Sequence, residues 1–272
     1  MSKTHPGIQK LIKDAENGHT NAQYELGVCL MEGIGVPQDT EEGLAWLTQA
    51  GSAKHIAAQR YLGSLYLAGQ NEEESRYWFE QAALGGDVTA MHSLALIYLR
   101  GNVCNADPSI ALAWLKKAAE NGHTASMTRL GVICCLGIGV NKDYAEAVKW
   151  FRNAAQKGDP NAQMLLASAY LTGCGVSANE TDATYWFKQV MLTFPDENAM
   201  LTMADTVNDG TLMPKSKVAA YVILGLHGAN FPSTQVDTST LASTMTASEL
   251  NQAKRILANT QPSSADQCLL RH

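Results

Sequence analysis

Apolar and small residues recur along the chain at helical spacing, and the helices that they predict recur at a longer period. The five tryptophans, Trp46, Trp78, Trp114, Trp150 and Trp186, lie 32, 36, 36 and 36 residues apart. A fixed period of this length is typical of repeat proteins, in which each unit buries its apolar face against neighbouring units. The pattern therefore predicts an array of similar units.

Each tryptophan lies in the second of two helices predicted for its unit. In the fourth repeat, an apolar stripe of an amphipathic helix is formed by Ala147, Trp150, Phe151 and Ala154, which have the spacing i, i+3, i+4, i+7. The stripe predicts that the tryptophans pack against the next unit. Candidate N-cap residues precede these helices at Asp39, Asn71, Asp107 and Asp143.

The first helix of each repeat carries a leucine followed by a small residue. These small residues are Gly27, Gly63, Ala95, Gly131 and Ala167. They predict a close crossing of two helices, because a larger side chain would push the axes apart. Glycines further on predict left-handed caps where the first helices end, at Gly33, Gly69, Gly101, Gly137 and Gly173.

The predicted fold is all-α: an α/α superhelical solenoid of about five to six helix-pair repeats of about 36 residues, with helical caps. The predicted parts are an N-terminal capping helix within 1–17, five repeats over 18–193, a degenerate sixth repeat over 194–231, C-terminal capping helices over 232–260 and a flexible tail over 261–272. A capping box of Thr246 and Glu249 predicts the start of the last helix.

Composition and charge narrow the function classes. The chain has 272 residues, 46% of them hydrophobic, a net charge of −6 and no run of lysine and arginine. This balance argues against a nucleic-acid partner. The N-terminal residues lack a signal-peptide pattern and no long apolar run occurs, so we expect a cytoplasmic protein without membrane insertion. The six cysteines are then expected to be reduced.

Three motifs together carry a family resemblance. They are Ala-x-x-x-Leu-Gly, the Ala-x-x-Trp-Phe-x-x-Ala helix, and the Gly-x-Gly-Val loops at 33–36, 137–140 and 173–176. With these motifs the chain resembles the Sel-one-like repeat (SLR) family, relatives of tetratricopeptide repeats, over about residues 18 to 230. The resemblance implies an α/α superhelix. It also implies a scaffold or adaptor in signalling, envelope or host-interaction pathways, mostly in bacteria.

Residues that could carry chemistry have simpler structural interpretations. The Gly-x-Gly-Val loops lack the strand context and third glycine of a dinucleotide site. His19, His55 and His123 share one repeat position, which a polar helix start explains better than a metal site. Cys134 and Cys135 are expected to occupy one core and one groove position. We therefore expect no cofactor, no metal and no catalysis; a thiol-dependent or β-lactamase-like hydrolase is the alternative.

The concave face of the first helices is the remaining candidate site. We name thirteen predicted concave-face residues: Tyr24, Val28, Met31, Arg60, Leu67, His92, Leu96, Leu99, Thr128, Val132, Cys135, Met164 and Leu171. The apolar members either complete the packing between helices or form an exposed apolar groove suited to a peptide. Tyr24, Arg60 and His92 are the predicted anchors, because Tyr and Arg are enriched in binding hot spots.

The resulting hypothesis is a non-catalytic scaffold or adaptor that binds a partner protein or peptide on its concave face. An immunity or chaperone-type protein that sequesters a toxin or effector is a narrower version of the same hypothesis. A homodimer formed through the ends of the array is a further possibility.

Overall fold

The computed structural model describes residues 6–101, 107–193, 196–234 and 236–260, and within these ranges it contains fifteen α-helices and no strand. The helices are α1 (Pro6–Glu16), α2 (Thr20–Glu32), α3 (Thr40–Ser52), α4 (Ile56–Ala68), α5 (Glu72–Leu84), α6 (Val88–Arg100), α7 (Pro108–Glu120), α8 (Thr124–Leu136), α9 (Tyr144–Gln156), α10 (Pro160–Thr172), α11 (Glu180–Thr193), α12 (Glu197–Asp209), α13 (Lys217–Asn230), α14 (Ser239–Ser243) and α15 (Ala247–Thr260).

Consecutive helices form pairs, and consecutive pairs stack, within each of two compact units. The first unit, residues 1–123, holds the pairs α2–α3, α4–α5 and α6–α7, with α3 packed on α4 and α5 on α6. The second unit, residues 124–272, holds α8–α9, α10–α11 and α12–α13, with α9 packed on α10. The predicted all-α helix-pair repeat is confirmed.

Helices within a pair cross closely at the small residue of the first helix. A Cβ atom added to Gly27 would lie 2.7 Å from Cγ of Leu47, and one added to Gly63 would lie 2.7 Å from Cδ1 of Phe79. The same clash would occur between Gly131 and Phe151. The predicted close crossing is therefore found, and its partner is the residue that follows each tryptophan.

The tryptophans themselves are less buried than the stripe predicts. Phe79, Phe151 and Phe187 are 0–1% exposed, as are Leu47 and Leu115 at the same repeat position. Of the five tryptophans only Trp78 is buried, and the other four are half-buried. The reason is the close crossing: the residue after the tryptophan fills the space over the small residue, and the tryptophan lies at the edge of the interface.

Four of the five predicted left-handed caps are present, and the fifth is wrong. Gly33, Gly101, Gly137 and Gly173 have φ of 71°, 70°, 75° and 71°. Gly69 instead has φ of −78°, and the left-handed residue is Gln70, with φ of 60°. The interval from Trp46 to Trp78 is four residues shorter than the others, and only three residues connect α4 to α5. In this shorter loop the left-handed conformation falls one position later.

The predicted N-caps of the second helices are confirmed. The side chains of Asp39, Asn71 and Asp143 accept backbone N–H bonds from Glu42, Glu74 and Glu146. Asp107 accepts from two backbone N–H groups of α7, whose first residue is Pro108. At α15, Thr246 and Glu249 exchange hydrogen bonds in both directions, as in a capping box.

Further helices cover the ends of the helix pairs. Leu11 and Ile12 of α1 pack against the cluster that contains Leu26 and Leu30. At the other end, α15 packs on α13 and α11, and Arg255 donates two hydrogen bonds to the carboxylate of Glu180. The predicted tail at 261–272 lies outside the described residues. Of the helices described, none is long and apolar enough to span a membrane.

Candidate functional site

The first helices of the repeats bring eleven of the thirteen predicted concave-face residues to half-buried positions. In the first unit these are Tyr24, Val28, Met31, Arg60, Leu67, His92, Leu96 and Leu99, carried by α2, α4 and α6. In the second unit they are Thr128, Val132 and Leu171. Several apolar members, such as Met31 and Leu67, pack against core clusters while keeping part of their surface exposed. That these residues also form a groove for a partner stays a prediction.

Two predicted concave-face residues are corrected, because the structure buries them. Met164 is 0% exposed, since α10 is covered by α9, α11, α12 and α13 and every residue from 162 to 169 is buried. Cys135 is 1% exposed, and Cys134 is the half-buried neighbour, so the assignment of core and groove positions to the two cysteines is reversed. Neither Met164 nor Cys135 can contact a partner on this surface.

Three of the described cysteines have thiols with a raised pKa. Burial raises the pKa of the Cys135 thiol to about 12, and the neighbouring Cys174 adds to the shift. Burial also raises the pKa of Cys174 and that of Cys29, where the carboxylates of Glu25 and Glu32 contribute further. A raised pKa lowers the thiolate fraction on which thiol chemistry depends. Cys104 and Cys268 lie outside the described residues.

The three predicted anchors each contact the first-helix N-cap position of the following repeat. Tyr24 stacks on His55 with ring centroids 4.9 Å apart, and His92 lies 4.8 Å from His123. Nε of Arg60 lies 3.0 Å from Oδ2 of Asp87. The sequence predicts the three anchors and the shared position of His55 and His123 but not the pairing between them, because the paired residues lie 27 or 31 positions apart.

The repeat position of the three histidines holds a helix cap at His55 before α4 and at Asp87 before α6. Nδ1 of His55 accepts the backbone N–H of Ala58 at 3.2 Å, and the Asp87 carboxylate accepts that of Ala90 at 2.8 Å. His19 is an exception, since its ring makes no cap bond and contacts the carbonyl of Asp14. Within the described ranges, no cluster of three or more His, Cys, Asp or Glu could hold a metal ion.

A cavity of about 320 Å³ opens between α2 and α4 in the first unit. Its lining residues are Tyr24, Ala57, Arg60, Tyr61, Ser64 and Leu65. Sequence reasoning missed Tyr61, which has no aromatic counterpart at its position in the other repeats. Burial raises the pKa of the Tyr61 hydroxyl, and Glu32 and Tyr24 add to this shift, which places all three groups in one neighbourhood.

The stacked helix pairs define a helix-pair repeat protein. Its candidate binding cavity is lined by aromatic and charged side chains of the first helices. The family model of the Sel1 repeat matches residues 20–55, 56–87, 88–123, 124–159 and 160–189, so the helices from α2 to α11 supply five repeats. The chain belongs to the Sel1 repeat family. Proteins of this family generally act as protein-interaction scaffolds and are typically non-catalytic.

Solved structures of bacterial repeat proteins are similar along most of the chain. A protective antigen of uropathogenic Escherichia coli with an SLR fold is 28% identical, with a TM-score of 0.69 over 97% of this chain and 58% of that chain. A Sel1 repeat protein of Oxalobacter formigenes is 32% identical, with a TM-score of 0.61 over 71% of this chain and 80% of that chain.

Curated relatives share only short segments. Chitin synthase regulatory factor 2 of Schizosaccharomyces pombe is 34% identical over 55 residues, which are 20% of this chain and 11% of that protein. An F-box protein of Arabidopsis thaliana is 44% identical over 52 residues, 19% of this chain and 14% of that protein. These matches cover so little of the longer relatives that they relate the repeat and not the whole proteins.

Proposed function

We propose that this chain is a non-catalytic interaction module that binds a partner protein or peptide on the first-helix surface of its first unit. The observation that carries the proposal is the cavity between α2 and α4, which is lined by two tyrosines and an arginine. Half-buried aromatic and arginine side chains around a cavity are the composition of a binding hot spot. The half-exposed apolar residues of α6, Leu96 and Leu99, extend the same type of surface along the unit.

The raised pKa values of the Cys29, Cys135 and Cys174 thiols favour this module over a hydrolase that uses one of these three thiols. The function as an immunity or chaperone-type protein, the cytoplasmic location and the homodimer formed through the array ends stay predictions.

Site-specific photo-crosslinking in the cells of origin tests the proposal. Ser64 is exposed and lines the cavity, so a benzoylphenylalanine placed there is expected to give a covalent adduct with a discrete partner. The matched control is Glu73, an exposed residue of α5 in the same unit. Adducts of one partner at position 64 and not at 73 support the proposal. Equal adducts at both positions, or adducts at 73 alone, would show that the cavity is not the binding surface.

A further inference from the structure

The cavity between α2 and α4 has aromatic walls and one charged lining residue, Arg60, and two carboxylates lie nearby on α2. Tyr24, whose ring also stacks on His55, and Tyr61 supply two aromatic side chains, and Ala57 and Leu65 supply an apolar wall. Such a cavity suits a long side chain with an apolar stem and a polar head. The head could be cationic or anionic, and the charges near the cavity decide between the two.

The cation of the cavity is already paired. Nε of Arg60 lies 3.0 Å from the carboxylate of Asp87, an ion pair that offsets part of its charge within the protein. An acidic partner side chain would have to compete with this carboxylate for the guanidinium. A carboxylate head is therefore the less favoured occupant.

Two unpaired carboxylates lie beside the cavity. Glu25 and Glu32 are exposed and, among the residues that the structure describes, form no ion pair. They lie four and three residues from Cys29, on the stripe of α2 next to Tyr24 and Val28. Besides burial, Glu32 contributes to the raised pKa of Tyr61, and Glu25 opposes the lowering of the pKa of His55, whose ring stacks on Tyr24, so each carboxylate acts on a group at or next to the cavity.

The charge of the whole first unit has the same sign. Residues 1–123 contain 9 Lys and Arg against 14 Asp and Glu, a net charge of −5. Residues 124–272 contain 11 against 12, a net charge of −1. Nearly all of the acidic excess of the chain therefore lies in the unit that holds the cavity, where it would attract a basic partner.

We propose that the cavity receives a lysine or arginine side chain from a basic, extended partner segment, with its charge over the rings of Tyr24 and Tyr61 and balanced by Glu25 and Glu32. A cation over a tyrosine face is attracted by the ring quadrupole, and its apolar stem would lie on Leu65 and Ala57. This inference rests on the proposed function, since it names the chemistry of the partner at the same surface.

Pentapeptides of the form acetyl-Ala-Ala-X-Ala-Ala-amide test the inference, with X as lysine, arginine, norleucine or glutamate. The readout is NMR of the full chain labelled with ¹³C in the tyrosine rings, with signals assigned through the Tyr24→Phe and Tyr61→Phe variants. The lysine and arginine peptides are expected to shift both rings saturably and to bind about fivefold more tightly than the norleucine peptide. Added salt should weaken this preference.

Charge variants separate a specific site from general attraction. The Glu25→Gln/Glu32→Gln double variant should lose most of the preference for lysine over norleucine. The matched control Glu41→Gln/Glu73→Gln removes two exposed carboxylates from α3 and α5 of the same unit and should keep it. Tighter binding of the glutamate peptide, equal binding of norleucine and lysine, or equal losses in the two double variants would each overturn the inference.

The two experiments fail independently. If position 64 gives adducts but the tyrosine rings do not prefer the cationic peptides, the proposed function stands and the basic partner is excluded. If the cationic peptides bind as expected but position 64 gives no adduct, the cavity chemistry stands and the proposed function fails.

Discussion

At the residue scale, the side chain that stabilises each helix pair is the one after the tryptophan. Phe151 is fully buried over Gly131, whereas Trp150 is half-buried at the edge of the same interface. Both residues fit an apolar stripe at helical spacing, so the sequence pattern could not rank them. The more deeply buried of the two is the side chain that faces the small residue of the partner helix.

We expect Phe151→Ala to lower the free energy of unfolding by about 3–5 kcal/mol, since it removes a fully buried ring and leaves a cavity. Trp150→Ala should lower it by less, about 1–2 kcal/mol, because part of that side chain is already in water. Urea denaturation followed by circular dichroism measures both. Equal losses, or a larger loss for Trp150→Ala, would contradict the assignment of Phe151 as the core residue.

At the scale of single elements, the helix ends are where sequence reasoning succeeded most and also where it failed. Asp39, Asn71 and Asp143 cap their helices as predicted, because capping depends only on residues within one turn. Gly69 was predicted as a left-handed cap by analogy with its counterparts. In the shorter loop between α4 and α5 the left-handed residue is Gln70 instead. A cap of this kind depends on where the next helix begins, so the glycine position alone could not predict it.

The cap at the start of α4 predicts a pH dependence of stability. His55 accepts a backbone N–H at Nδ1, and its Nε2 lies 3.0 Å from Oδ1 of Asn21, an arrangement that fits the neutral ring. Burial lowers the pKa of His55, partly opposed by Glu25. The unfolded state therefore binds the proton more readily, and stability is present above the unfolded pKa of about 6.5 and lost as the pH falls below it.

The His55→Asn variant should reduce this loss of stability between about pH 7 and pH 5, because asparagine caps helices without titrating in this range. Thermal melts across the range measure the effect. His19→Asn is the matched control, since His19 holds the same repeat position without a cap bond. An unchanged pH profile in His55→Asn, or the same flattening in His19→Asn, would show that the His55 cap is not responsible.

At the scale of the whole molecule, the two units differ more in net charge than in fold. Both units are built from stacked helix pairs, but a net charge of −5 lies in residues 1–123 and −1 in residues 124–272. Long-range attraction raises association rates and is screened by salt over about 10 Å at 0.1 M ionic strength. Binding through the first unit should therefore depend on salt mainly through the association rate.

We expect the association rate of the partner captured at position 64 to fall at least about tenfold between 20 mM and 500 mM salt, with a smaller change in the dissociation rate. Surface plasmon resonance with the purified partner measures both rates. The Glu41→Gln/Glu73→Gln variant should show a shallower salt dependence, because it lowers the charge of the same unit. A salt-independent association rate would contradict electrostatic steering by the first unit.

The sequence by itself determined the repeat, its period, the helix pairs and most of their caps, because these depend on residues within one or two helical turns or on the same pattern repeated. Only the tertiary structure decided which of the two large residues in each apolar stripe is more deeply buried, that Cys135 and Met164 are enclosed, and that Tyr61 joins Tyr24 and Arg60 around a cavity. The physical reason is that burial and cavities are made by atoms from different helices. The repeat pattern treats equivalent positions of different repeats as the same. Their burial differs because the neighbouring side chains and the loop lengths differ from one repeat to the next.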